Sequence, residues 1–175
     1  MPSKRSDDPD HIDNAPEAHL AALGARFLAA LEARANRQVD AALEGFAAVL
    51  AAEPRLAEPR IELGAIYLDM NRFEEAEAHA REAIRILENG GQWTEDVPEN
   101  VLLGMAWALL GASLQAQAQS DEVVFGEDPA RFKELVAQAA MAFARAAELD
   151  PTDIASGARS AELGEEGDDE GGQEM

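Results

Sequence analysis

Apolar residues recur along this chain at spacings of three and four, without the strict alternation of a strand, and proline, glycine or asparagine breaks each run. Leu20, Leu23, Phe27, Leu28 and Leu31 share one side of a helix that takes Asn14 as cap and Pro16 in its first turn and reaches about Ala35. The short link Asn36, Arg37, Gln38 leads to a second helix, Val39 to Ala52, which stops before Pro54. So short a link makes the two helices antiparallel neighbours. The pair recurs: Pro59 opens a helix to Asp69, Asn71 and Arg72 turn the chain, and Phe73 to Leu87 returns before Asn89, Gly90 and Gly91. Residues 99–119 read as one long helix, and Asp128 with Pro129 caps and opens another that ends near Leu149. The fold class is all-α, with one helical domain over 15–163 between an acidic N-terminal segment, 1–14, and an acidic tail, 164–175, both expected to be disordered.

The helices repeat in detail. Ala42, Phe46 and Val49 fall on Ala76, Ala80 and Ala83 after a shift of 34 residues, and Ala30 falls on Gly64. Small residues at such places let helices approach closely, and large ones fill the gaps between them. The third return helix carries Ala139, Phe143, Ala146 and Pro151, but 29 residues beyond the period are inserted before it. Leu63, Gly64 and Tyr67, followed by Ala76, Ala80 and Ala83, resemble the tetratricopeptide repeat, whose period is about 34 residues. In the first unit Ala29, Ala30 and Ala33 stand where that pattern has Leu, Gly and Tyr, so the match is weaker there. The resemblance implies a right-handed superhelix of three hairpins, over about 20–55, 56–90 and 98–151, the third extended. In that third unit Leu103, Gly104, Trp107 and Trp107, Leu110, Gly111, Leu114 fit the pattern equally well, and both frames stay open. Ile154 to Leu163 has the length of a closing helix, which end repeats need, although Gly157 and two serines weaken it.

In tetratricopeptide proteins the first helix of each pair lines the inner surface. Carried over residue by residue, the resemblance selects Gly24, Phe27, Leu31 and Arg34, then Glu58, Ile61, Ala65 and Leu68, and under the later frame Met105, Ala108 and Ala112. Apart from Arg34 and Glu58 this stripe is apolar. Leaving Phe, Leu or Ile in water forgoes about 1.5–3 kcal/mol each, so something is expected to cover it. The chain itself, a sister copy in a homodimer, or an amphipathic helix of another protein would do so, Arg34 then orienting an acidic end. Val123, Val124 and Phe125, three apolar residues in the acidic 120–128 loop, either fold back or touch a partner.

Charge narrows the functions. With 14 basic against 35 acidic residues the net charge is −21, and residues 15–155 carry most of it. Such a field repels phosphates, which makes direct nucleic-acid binding unfavourable. There is no cysteine, hence no disulfide or thiolate metal site. The polar start of the chain lacks the apolar stretch of a signal peptide, and no run of about 18 uninterrupted apolar residues occurs, so a cytoplasmic protein is expected.

Little points to catalysis. His11, His19 and His79 are far apart, with His79 expected on an exposed helix face. No serine has a histidine in a structured segment, and no glycine-rich phosphate loop with lysine exists. Asp7, Asp8, Asp10 and Asp13 lack the glycine and terminal glutamate of a calcium loop. The expected function is therefore non-enzymatic, without cofactor or metal: an adaptor or scaffold that seats an apolar peptide or helix. Two other readings remain. One is a chaperone of a secreted or aggregation-prone client, in length, charge and groove similar to small type III secretion chaperones. The other is an acidic mimic of nucleic acid that occupies a basic surface.

Overall fold

The computed structural model describes residues 15–90, 97–120, 123–124 and 128–169. The segment 1–14 with its cap Asn14, Gly91, Phe125 and residues 170–175 lie outside them. The described residues are all-helical: α1 (Ala15–Ala35), α2 (Val39–Ala52), α3 (Glu58–Asp69), α4 (Phe73–Glu88), α5 (Glu99–Ala118), α6 (Pro129–Leu149) and α7 (Ile154–Asp169). Each helix packs on the next in chain order, and α3 also touches α5. No strand occurs among the described residues.

The 34-residue period is written into the backbone. Arg37 and Asn71, one period apart, hold φ of +60° and +58°. The Gln38 N–H donates to Ala33 O and the Arg72 N–H to Tyr67 O, both at 2.9 Å, the bond that closes a helix end over a left-handed residue. The ends of α2 and α6 also match: Glu53 and Asp150 are extended, donate their N–H to Val49 O and Ala146 O at 2.9 Å, and precede Pro54 and Pro151. Proline excludes the helical conformation from the residue before it.

Packing follows the same period. Ala42, Phe46, Val49, Ala76, Ala80, Ala83, Ala139, Phe143 and Ala146 all have no accessible surface. Within each hairpin one backbone comes close to the other helix. A Cβ on Gly45 would sit 2.7 Å from Ala30 Cβ, one on Gly64 would sit 3.3 Å from Ala76 O and His79 Cβ, and one on Gly111 would sit 2.9 Å from the Phe143 ring. Gly111 makes the closest of these glycine approaches between the arms of the third hairpin. Gly104 faces Asp150 and Ala146 near the hairpin's far end.

The third hairpin has arms of 20 and 21 residues, against 12 and 16 in the second. Asp128 caps α6 by accepting the Arg131 N–H at 3.0 Å, and Asn100 Nδ2 donates to Leu149 O at 2.9 Å, tying the two arms at their far end. Helix α5 is long and apolar enough by composition to cross a bilayer, although polar residues interrupt it. Its apolar surface faces α4, α6 and α3, with Leu102, Ala106, Leu109, Leu110 and Leu114 in the main core. Val123 folds back into that core while Val124 is exposed.

The closing helix α7 runs to Asp169, six residues past the expected end at Leu163. Asp153 caps it, accepting the Ser156 N–H at 3.1 Å, and Leu163 joins the core. Once those turns are docked, each further residue adds a backbone hydrogen bond without a new nucleation cost. Helix thereby extends into a glycine- and acid-rich stretch that composition alone assigns to disorder.

Candidate functional site: an apolar groove over Trp107

Along the stripe expected on the first helices the fold buries Glu58 and Ile61 and leaves the other positions part-covered or exposed. Ile61 retains only 6% of its surface and lies in the core with Leu102, Ala106 and Leu109, because α5 packs against this side of α3. Phe27 turns its edge to Phe46, ring centroids 5.5 Å apart at 60°, and is half-buried. Leu31 packs against the same cluster as Phe46 and Leu63, while Ala65 and Leu68 lie partly covered on the main core. The Arg34 guanidinium pairs with Glu62 on α3, joining α1 to the second hairpin, and its side chain stays 36% exposed. Ala108 is half-buried, and Met105 keeps 45% of its surface. A cleft of about 520 Å³ lies at the far end of this side, where Leu68, Phe73 and Ala116 meet the polar Asn71, Gln119 and Ser120.

A more apolar groove lies elsewhere, where α4 and α6 flank α5. Two adjoining cavities, of about 390 and 180 Å³, share Trp107 and Met141. Leu110 and Leu114 from α5 and Ala142 and Ala144 from α6 complete the apolar lining. Met141 is 73% exposed. Trp107 is half-buried, and its indole Nε1–H is covered without a hydrogen-bond acceptor. An unmet buried donor of this kind costs about 1–3 kcal/mol. Charged groups stand at the margin: Arg81 is bound to Glu77 at 2.7 Å and reaches Gln138 Oε1 at 3.4 Å, and Arg145 pairs with Glu148 at 2.8 Å. The groove therefore offers apolar contact along its length. Its margin carries both signs of charge.

The sequence marked Trp107 only as a repeat position and did not single out Met141. The available signal was the spacing of Gln138, Met141 and Ala144, which puts them on one side of an amphipathic helix. Such a methionine reads as ordinary surface until its neighbours in space are known.

His79 departs from its expected exposed position. It is half-buried and stacks on Tyr67, centroids 5.3 Å apart and planes at 17°, while Arg72 covers the same tyrosine ring at 4.5 Å. Its Nδ1 is buried without a partner, and burial, then the Arg60 charge, lowers its pKa below 6.5, Glu75 acting the other way. No cluster of three or more His, Asp or Glu side chains suited to a metal occurs among the described residues. No protein-family model matches this sequence, and a search of curated proteins finds no relative.

Proposed function

We propose that the chain is a three-unit array of the tetratricopeptide kind, coiled as a right-handed superhelix. Its work, on this reading, is to hold another protein rather than to carry out chemistry. The recurrence of Arg37 and Asn71 at one backbone conformation supports the array. The seat for the partner is the groove over Trp107, and the occupant is the apolar face of an amphipathic helix or a short apolar peptide. The observation that carries this reading is an exposed Met141 beside the apolar lining of Trp107, Leu110 and Leu114. Methionine adapts to irregular apolar partners.

The test is capture of partners from native lysate, identified by mass spectrometry. Met141→Glu abolishes capture of the partner that the native chain retains, with the helical circular dichroism unchanged. Trp107→Phe, which trims the apolar lining of the groove, weakens it about two- to tenfold. Leu68→Glu, in the other cleft, leaves it intact. Loss with Leu68→Glu and retention with Met141→Glu would move the seat to the first-helix side.

A further inference from the structure

The stack has an open end. Leu56, Pro59 and Leu63 of the second unit are buried, Leu63 in a cluster with Ala42 and Phe46 and Leu56 in one with Val49, because α2 packs on this side of α3. One period earlier stand Ala22, Ala25 and Ala29 on α1, all exposed. Glu62, paired with Arg34 of the preceding first helix, corresponds to Leu28, which is 65% exposed. Leu20, on the same helix, is 54% exposed. Thus α1 presents the face by which one repeat stacks on another, with no repeat before it among the described residues. End repeats of such arrays carry a polar outer face. Here Ala22, Ala25, Leu28 and Ala29 are interrupted only by Arg26 and Glu32, neither of which has an ion-pair partner among the described residues.

We infer that a second copy of this chain covers that face, α1 against α1, antiparallel about a two-fold axis at Ala29. Two observations select this occupant. First, Arg26 and Glu32 lie three residues on either side of Ala29. An antiparallel pair centred there sets Arg26 of each copy against Glu32 of the other, the self-complementarity that a two-fold contact requires. Second, copies of a chain with net charge −21 repel nearly everywhere, but residues 15–52 hold three cations against four anions. The open face belongs to the one unit that is close to neutral. Alanines at three- and four-residue spacing let the helices approach closely, and Leu28 of each copy packs beside the axis. Whatever the Trp107 groove binds, this surface is separate from it.

Size-exclusion chromatography with light scattering at tens of micromolar is expected to give twice the 18.7 kDa mass of the chain. Leu28→Glu gives a monomer with unchanged helical content. Arg26→Glu raises the dissociation constant about tenfold or more by opposing Glu32, and Arg26→Glu with Glu32→Arg restores the dimer. Because the chain has no cysteine, Ala29→Cys reports the axis directly by rapid oxidation to a disulfide dimer. Ala22→Cys does not follow, since its two sulfurs would lie about 20 Å apart along the helix axes. A monomeric native chain, a dimer that survives Leu28→Glu, or equal cross-linking at Ala22 and Ala29 would each overturn the proposal.

Discussion

Gly111 on α5 lies so close to Phe143 on α6 that a Cβ added to it would meet three ring carbons at 2.9 Å, and Phe143 itself has no accessible surface. The ring is fixed by its burial and cannot swing away as a flexible side chain would. Gly111→Ala therefore costs about 1–3 kcal/mol from overpacking, partly offset by about 1 kcal/mol of helix propensity, and a lower urea midpoint checks it. Phe143→Ala, which empties the same contact, costs about 3–5 kcal/mol. Combining the two changes costs less than the sum of both, because the alanine methyl then enters the space the ring has left.

The two left-handed turn residues respond differently to glycine. Asparagine tolerates φ near +60°, whereas arginine bears most of the penalty of about 1–2 kcal/mol for that conformation. Arg37→Gly is expected to stabilise the chain by up to about 1 kcal/mol and Asn71→Gly by less, read as the difference in denaturant midpoint.

Arg34 and Glu62 join α1 to α3 in a partly covered ion pair. A double-mutant cycle with Arg34→Ala and Glu62→Ala yields a coupling of about 0.5–1 kcal/mol that shrinks as salt is raised. A coupling near zero at low salt would show that the pair does not hold the first two units together.

His79 makes stability depend on pH near neutrality. Its folded pKa lies below 6.5, since burial, followed by the Arg60 charge, opposes protonation. The unfolded chain then takes up the proton first, so the histidine's contribution is intact above about 6.5 and is lost as pH falls toward the folded value. Unfolding free energy measured between about pH 7 and pH 5.5 declines in the native chain, and His79→Phe flattens that decline.

Most of the fold was legible in the residues because its signals are local. Pro54, Pro129 and Pro151 mark helix boundaries through the geometry of a single bond, and six helix spans follow from proline, glycine and apolar spacing to within about two residues at each end. The nine positions Ala42, Phe46, Val49, Ala76, Ala80, Ala83, Ala139, Phe143 and Ala146 are all sealed because the same three- and four-residue spacing recurs on each return helix. The candidate site was much less legible. Ile61 and Leu68 fit one helical stripe in sequence, yet whether such a stripe faces water depends on which helix packs over it. The approach of α5 buries Ile61 and leaves Leu68 half-covered.

The chain by itself determined the helices, their order, the period and the acidic charge, since each of these follows from backbone preference or composition within a few turns. Tertiary structure alone decided that Gly111 lies against Phe143, and alone exposed the groove over Trp107 and the open face around Leu28. The physical reason is that a helix of this kind has apolar residues on more than one side. Its neighbours, drawn from residues distant in sequence, determine which side is closed.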